Sequence, residues 1–527
     1  MISIKNFLKL TPAKVLIVLI SVSLIVYPDC SGSRIERINA PPDQLEPNQS
    51  SKDFPFLKLH MKNGDVYVLE NWIVNAKNDT VNGKGKLLNP NRELISEGQF
   101  YVSIQQIVLA ETNHIKGSAG SIVLATLSVI TGIFTVVCIT NPKACFGSCP
   151  TFYAHNGEEF IVQSEGFSSS VSPSLEEKDI DALYRIKPES KNFQIQLRNE
   201  AYETHVIRSA NVLALKKPID GRILATPEGD FVEAKNFTEP SEVVSPEGDC
   251  SEKLCSFDGI ERFSAADSSD LTSKEIIEIT FNQVPRGNKG LVIAARQTLL
   301  TTFLFYQTLA YMGNSAGEWL AKIERSGNES KKIIDHPGNL LGKIEVMIKN
   351  PVGKWEKINE VGETGPIATD IKVVPIKDYS TGPGSITLRL VMTKGLWRID
   401  YVSLAQLGNK VTPVVIPPST SSPQNVNGRD VIELLTNPDS VLITYPGDRY
   451  FVNYKLPENF SDYELFMESR GYYLEWMRNE WLAEENPAKV YQMFFNPKQF
   501  FKDLAPQFKK VEAEMEESFW SSKYVLP

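Results

Sequence analysis

Two uncharged, almost wholly apolar stretches restrict what this chain can fold into more than any other feature. The first, Val15–Val26, follows three lysines and has the length of the hydrophobic region of an export signal. The second lies between Lys116 and Lys143. Its apolar part, residues 117–139, matches the roughly 30 Å hydrocarbon core of a bilayer, since a helix rises about 1.5 Å per residue. The two stretches predict export and a membrane attachment.

The cysteine after the first stretch offers one mode of attachment. Cys30 stands at about the position at which a lipoprotein cysteine is acylated, and Ser31 and Ser33 offer the small residues that a signal peptidase prefers. Pro28 and Asp29 depart from a lipoprotein signal. Three interpretations stay open: lipidation at Cys30, plain cleavage, and an uncleaved N-terminal anchor.

The second stretch predicts an apolar helix over residues 117–139. Small residues such as Gly120 and Gly132 would let another helix approach closely within a membrane. A buried core helix or an apolar hairpin is the alternative. Two spans after a cytoplasmic start would return residues 140–527 to the cytoplasm, and lysines at both ends of the stretch leave its orientation undecided.

Cysteine spacing favours an exported location for the larger part of the chain. Cys145 lies close to Cys149, and Cys250 lies close to Cys255. Two such pairs predict local disulfides in an oxidising compartment. Zinc is a weaker alternative, because the pairs are about a hundred residues apart and no histidine is near either.

Composition and charge bound the class of protein. With 42% hydrophobic and 23% charged residues, the 527-residue chain has the composition of a folded protein, and its length allows about three domains. A net charge of -9 leaves no basic surface in bulk for nucleic acid. We therefore expect no nucleic-acid partner.

The hydrophobic pattern predicts a mainly β, α+β fold with antiparallel sheets, a sandwich and a helical C-terminal tail. Two hairpins are indicated by apolar alternation around Asn63-Gly64 and around Asn156-Gly157. We predict the following organisation: a signal or anchor segment at 1–33, a tether at 34–54, a small β domain at 55–112, a hydrophobic helix at 117–139, a β-rich domain at 145–330 with a helix at 295–325, a sandwich-like domain at 340–408, a linker at 411–429, and a β plus helical region at 430–527.

One local pattern resembles a known group of proteins. Cys149-Pro150-Thr151-Phe152-Tyr153, followed by Asn156-Gly157-Glu158-Glu159-Phe160, Glu165-Gly166 and Leu175-Glu176, is similar to the CP-x-x-Y and DG-x-x-Y/F motifs of uncharacterised bacterial envelope proteins of lipoprotein type. This chain departs from the pattern at Asn156, where Asp is usual. The resemblance implies an envelope location and no particular activity.

A second local resemblance suggests a ligand surface. Ile399-Asp400-Tyr401-Val402-Ser403-Leu404 is similar to the closing strand of galactose-binding-like jelly rolls, and the likeness extends loosely over residues 340–406. Trp355, Trp397 and Tyr401 are accordingly candidates for a platform that stacks a sugar. Alternatively, these side chains fill the core of a sandwich.

No catalytic, metal or phosphate motif stands out, and we predict no cofactor and no metal site. The five histidines are scattered, without metal-ligand spacing. We expect a membrane-tethered, extracytoplasmic envelope protein with a structural or binding role, whose partners are the membrane and envelope proteins or glycans. The alternative is a hydrolase of envelope polysaccharide or peptide that uses two carboxylates, such as Glu165 with Glu176 or Glu363 with Asp370.

Overall fold

The computed structural model describes residues 33–40, 49–52, 54–61, 63, 65–75, 78–89, 94–117, 150–167, 170–201, 203–313, 316, 340–350, 352–362, 365–376, 384–475 and 484–521. The chain divides into two compact units, residues 1–61 with 65–125 and residues 62–64 with 126–527. Antiparallel sheets dominate both units, and helices are concentrated in the second. The predicted mainly β fold with helical segments is confirmed.

The first unit contains one antiparallel sheet of six strands in the order β1-β6-β2-β3-β4-β5. Its strands are β1 (Ser33–Ala40), β2 (Phe56–Met61), β3 (Val66–Asn75), β4 (Thr80–Leu88), β5 (Leu94–Ser103) and β6 (Ile107–Gly117). Alternate residues along β2 and β3, such as Leu57, Leu59 and Leu69, are buried in one core with Trp72. The predicted hairpin around Asn63 is therefore present, with His60 opposite Val66.

Two predictions change at the edges of this sheet. Part of the predicted tether 34–54 is strand β1, because Ile35 and Ile38 lie in an extended segment that pairs with β6 from Ser33 to Ala40. Gly117, the predicted first residue of the apolar helix, is the last residue of β6. Residues 118–139 lie outside the described residues. None of the helices in the described part of the chain has the length and hydropathy that crossing a bilayer requires.

The second unit contains most of the strands. They are β7 (Thr151–His155), β8 (Phe160–Glu165), β9 (Glu177–Ala182), β10 (Asn192–Arg198), β11 (Glu203–Lys216), β12 (Gly221–Ala225), β13 (Phe231–Thr238), β14 (Glu242–Ser245), β15 (Gly248–Asp249), β16 (Arg262–Phe263), β17 (Lys274–Phe281), β18 (Lys289–Gln297), β19 (Ile344–Lys349), β20 (Trp355–Val361), β21 (Asp370–Ile376), β22 (Ile386–Thr393), β23 (Trp397–Val411), β24 (Val414–Ile416), β25 (Pro418–Ser422), β26 (Asn425–Val426), β27 (Arg429–Asp430), β28 (Leu442–Thr444), β29 (Arg449–Lys455) and β30 (Tyr463–Glu475).

These strands form four larger sheets and one short pair, β26-β27. The larger sheets have the orders β25-β29-β10-β7-β8, β24-β11-β30-β9, β13-β12-β21-β18-β23-β16 and β15-β14-β17-β22-β19-β20. In the third, β13 also pairs with β23, so that β13, β12, β21, β18 and β23 form a ring, the closed sheet. Its neighbours are antiparallel except β12 and β21, which meet in parallel at Ala225 and Lys372.

The described helices are α1 (Ser251–Leu254), α2 (Leu300–Met312), α3 (Val431–Thr436), α4 (Pro487–Phe495) and α5 (Pro497–Ser521). Helix α2 lies within the predicted helix 295–325. It begins only at Leu300 because the chain up to Gln297 is still paired in β18. Gly313, with φ of 51°, ends it in a left-handed conformation that favours glycine.

One core joins sheets and helices that the sequence assigned to different domains. One hydrophobic cluster contains buried side chains from two sheets and two helices. They are Ile344 of β19 and Leu388 of β22, Leu404 of β23 in the closed sheet, Leu309 of α2 and Phe501 of α5. The predicted ranges 145–330, 340–408 and 430–527 therefore all contribute side chains to one common core. Each of these sheets has an apolar face that must be covered, so burial requires partners from distant parts of the chain.

The segment predicted as a linker, 411–429, is part of two sheets. It contains β24, paired with β11, and β25, paired with β29. Both are edge strands, which tolerate proline because one side of an edge strand needs no hydrogen-bond donor. Prolines and a Ser/Thr run, which are typical of a flexible linker, are thus compatible with strand structure here.

The shared core predicts that the C-terminal helix contributes to the stability of the second unit. Phe501 of α5 is 2% exposed, whereas Phe495 of α4 is 70% exposed. Phe501→Ala should lower the free energy of unfolding by about 3 to 4 kcal/mol, because it leaves a cavity in the core. Urea denaturation of the detergent-solubilised full chain measures this change.

Phe495→Ala is the matched control and should change that free energy by less than about 0.5 kcal/mol. Equal effects of the two substitutions would show that α5 is not part of the core.

Candidate functional site

The closed sheet separates two sets of side chains by strand alternation. Ile293 of β18 and Leu404 of β23 point outward into the large core shared with the helices. Val292 and Ala405, one position away on the same strands, belong to the set that fills the interior of the ring. Several interior residues are alanine or valine, so the ring is not filled completely at one end.

A cavity of about 300 Å³ occupies that end. Four strands of the closed sheet line its floor and walls, the end of β13 supplies Phe237, and the segment after α1 covers it. The lining residues are Tyr184, Arg222, Leu224, Phe237, Cys255, Ser256, Phe257, Val292, Ile371 and Tyr401. The volume is at the lower end of the range for small-molecule sites.

Arg222 supplies the positive charge in the lining of the cavity. Its guanidinium lies 4.1 Å from the centre of the Tyr184 ring, and its Nε donates to Glu464 Oε1 of β30 at 2.9 Å. Burial alone would lower the pKa of Arg222, but the hydrogen bond and charge of Glu464 raise it above its usual value. Arg222 is therefore a permanently charged, positionally fixed donor.

The aromatic side chains give the cavity apolar faces with polar ends. Burial raises the pKa of Tyr401, and burial also raises the pKa of Tyr184, whose hydroxyl donates to the Ile223 carbonyl. Both phenols are therefore protonated at neutral pH. The guanidinium of Arg185 lies 5.6 Å from the centre of the Phe257 ring, beside the covering segment.

The two cysteines of this region are free thiols, in contrast to the predicted Cys250–Cys255 disulfide. They stand at opposite ends of α1, and each Sγ has its own carbonyl acceptor. Buried Cys250 donates to Val243 O, and Cys255 donates to Glu252 O. Cys255, partly exposed, lines the cavity. The other predicted pair, Cys145 with Cys149, lies outside the described residues, as does Cys30.

The three residues of the predicted sugar platform are not together. Trp397 is 1% exposed and is part of the large core, so it cannot stack a ligand. Trp355 is on β20, in the sheet β15-β14-β17-β22-β19-β20, and the Arg389 guanidinium lies 3.9 Å from the centre of its ring. Tyr401 alone lines the cavity. Alternation alone would place residues 397 and 401 on one face of β23. A β-bulge between Ile399 and Tyr401, where the register against β18 shifts, turns Tyr401 to the opposite face.

The carboxylates proposed for hydrolysis have other partners. Glu165 is buried and accepts from the Ile367 backbone N–H at 2.9 Å. Glu176 is paired with Arg208 and Arg470 at 2.9 and 2.5 Å. Asp370 is paired with Lys372 at 2.7 Å, and Glu363 lies outside the described residues. These contacts hold strands together rather than present a pair of carboxylates to one cleft.

Asp370 belongs to a buried acidic cluster between β9 and β21. Burial raises the pKa of Asp179 from 3.8 to about 6, against the lowering effect of the Lys372 ammonium. Burial also raises the pKa of Asp181 well above its usual value, and the charges of Asp179 and Asp370 raise it further. Three carboxylates thus share one ammonium group.

Hydrogen bonds fix the cluster in place. Asp181 Oδ2 accepts from Ser164 Oγ at 2.7 Å and from the Glu165 N–H at 3.2 Å. The Lys372 ammonium also donates to the Ile180 carbonyl at 3.1 Å. Within the described residues, no group of three or more His, Cys, Asp or Glu side chains is arranged to hold a metal ion.

Sequence reasoning missed most of the cavity, because its residues come from segments between 184 and 401 that pairing brings together. Arg222 and Leu224 follow the period of two expected for a strand, and Tyr401 was identified from the run Ile399–Leu404. No signal in the sequence indicates that β13 returns to β23 and closes the ring.

The acidic cluster predicts a stability that falls as pH rises. Asp179 has a folded-state pKa above its unfolded value, so the stabilisation is fully present below about pH 4 and is lost as pH rises through about 6. Asp181→Asn keeps an acceptor for Ser164 and removes one ionisable carboxyl group from the cluster. We expect it to raise the free energy of unfolding at pH 7.5 by roughly 1 to 2 kcal/mol and to flatten its decline above pH 5, measured by urea denaturation across that range.

Asp220→Asn is the control. Asp220 is exposed and has a φ of 53°, a conformation that asparagine adopts readily. An unaltered pH dependence in Asp181→Asn would refute the destabilising role of the cluster.

Comparisons with known proteins identify no family for this chain. No family model matches it, and no curated protein matches it. The predicted envelope family therefore stays a prediction. Among solved structures, a beta-porphyranase of glycoside hydrolase family 86 from the human gut bacterium Bacteroides plebeius matches with a TM-score of 0.16 and 11% identity, over 48% of this chain and 43% of that chain.

Proposed function

We propose that this chain is a membrane-tethered, extracytoplasmic envelope protein that binds a small saccharide in the cavity of the closed sheet. The observation that carries the proposal is the lining of that cavity, in which four aromatic rings surround one fixed guanidinium. A site with mostly apolar walls and a few placed polar groups is the usual form of a small-molecule site.

The lining suits a sugar ring in two respects. Pyranose rings present apolar C–H faces, which pack against aromatic side chains such as Phe237 and Tyr401. Their hydroxyl groups accept hydrogen bonds. The lining supplies three kinds of donor, the guanidinium of Arg222, the phenol of Tyr401 and the hydroxyl of Ser256. The volume of about 300 Å³ limits the enclosed part of the ligand to about one ring.

The residues that line the cavity fit ligand binding better than they fit hydrolysis. Hydrolysis by a carboxylate pair needs an acid and a base that flank the scissile bond. The lining contains no Asp or Glu among the described residues. Glu464, which lies outside the lining, is paired with the Arg222 guanidinium. The hydrolase alternative stays a prediction.

The envelope location is supported by the sequence. The basic start and Val15–Val26 have the pattern of an export signal, Cys30 offers a site for lipidation, and residues 117–139 offer a second attachment. Envelope glycans are accordingly the class of ligand that we propose.

Cys255 provides a direct test of binding. We expect chitobiose, cellobiose or lactose at about 1 to 10 mM to slow alkylation of Cys255 by iodoacetamide, because a ligand in the cavity covers the thiol. Phe237→Ala should raise the sugar concentration that gives half protection by roughly tenfold, through loss of one stacking face. Mass spectrometry of the mildly reduced full chain measures alkylation at each cysteine.

Two controls accompany this test. Cys250 is buried and should react only after unfolding, which reports loss of structure. Phe495→Ala removes an aromatic ring outside the cavity and should leave sugar protection unchanged. Protection of Cys255 by none of the sugars, with alkylation itself proceeding normally, would refute saccharide binding.

A reporter fusion tests the location. Alkaline phosphatase fused after Pro527 should be active and a fluorescent protein at the same site should be dark in a bacterial host, since each folds to activity on only one side of the membrane. A fluorescent, phosphatase-negative pair would place residues 140–527 in the cytoplasm and would contradict the proposed compartment.

A further inference from the structure

An exposed aromatic pair lies on helix α4. Tyr491 and Phe495, one helical turn apart, are 61% and 70% exposed. Their rings stack on each other, with centroids 4.4 Å apart and an angle of 28° between the ring planes. Large aromatic side chains are normally buried, and a paired exposed set marks an interaction surface.

The orientation of this helix keeps the pair outside the core. The Asn486 side chain caps its first turn by accepting from the Lys489 N–H at 3.2 Å, and Pro487 occupies the first position. On the opposite side, Met493 is buried and its Sδ lies 3.1 Å from the Thr308 hydroxyl of α2. Tyr491 and Phe495 therefore cannot turn inward without breaking that packing.

Basic residues lie beside the pair. Lys498 is three residues beyond Phe495, which places their Cα atoms within about 11 Å of each other. Lys502 is one turn further along α5, on the same face as Lys498, and both are exposed. The neighbouring Asp503 carboxylate is engaged by Gln492 and Gln499 at 2.6 and 2.8 Å. A chain with a net charge of -9 thus presents lysines next to its exposed rings.

We propose that Tyr491, Phe495, Lys498 and Lys502 form a contact surface for an anionic lipid membrane. Aromatic rings favour the level of the lipid headgroups, where their apolar faces leave water, and lysines are attracted to the negative surface. The two apolar stretches of the sequence supply an independent reason for a bilayer to be near. A second copy of the chain would bury the rings but would bring these lysines against each other, so charge favours the lipid.

The test uses local labelling, because the apolar stretches would attach the full chain to any vesicle. The full chain is reconstituted into phosphatidylcholine vesicles with about 30% phosphatidylserine and a diazirine-bearing phospholipid, and labelled residues are mapped by mass spectrometry after irradiation. We expect lipid adducts on the peptide 487–502. The double variant Tyr491→Ser with Phe495→Ser should reduce them by about tenfold.

Charge and control variants complete the design. Lys498→Glu with Lys502→Glu should reduce labelling in the anionic vesicles and leave labelling in pure phosphatidylcholine nearly unchanged. Val352→Ser, which removes an apolar side chain that is 78% exposed in another hairpin, should change nothing. Absence of adducts from 487–502 while residues 117–139 are labelled would overturn the proposal. Circular dichroism confirms that each variant is folded.

Discussion

Pairing of β13 with β23 is the contact on which the arrangement of the second unit depends. β13, which ends at Thr238, pairs antiparallel with β23, which begins at Trp397, and this pairing closes the ring of five strands. Closure removes two sheet edges and divides each strand into an inner and an outer face. The inner faces create the cavity. The outer faces of β18, β21 and β23 become one wall of the large core, whereas those of β12 and β13 pack in a separate cluster with β11 and β30.

Charged side chains fix the C-terminal helix to the same sheet. Arg296 of β18 forms one ion pair with Glu261 and another with Glu516 of α5, each with an N–O distance of 2.5 Å. Arg398 of β23 pairs with the same Glu516. Burial and the neighbouring Arg296 lower the pKa of Arg398. A half-buried network of this kind aligns the helix, since removing one member would leave another charge without compensation.

Local structure was predictable where it depends on short-range patterns, and long-range pairing was not. The turns at Asn63 and Asn156 specify hairpins through residues that adopt tight-turn conformations, and both hairpins are present. Trp397 and Tyr401 look alike in sequence, yet one is in the core and the other faces the cavity. Their difference depends on the β-bulge between Ile399 and Tyr401, where β23 shifts its register against β18, and the sequence of neither strand marks that pairing. Prolines between 413 and 423 indicated a linker for the same reason, because edge position is a property of the whole sheet.

The pairing of β11 with β30 has a consequence for the order in which the chain can fold. Glu203 lies opposite Glu475, and Lys216 lies opposite Tyr463, so a strand early in the second unit waits for one near its end. At a synthesis rate of about 5 to 20 residues per second, roughly 250 intervening residues take about 12 to 50 s to appear. Until then β11 lacks its partner, and contacts of such high sequence separation form slowly. The topology of this sheet therefore leaves β11 without β30 until residues 463–475 have been synthesised.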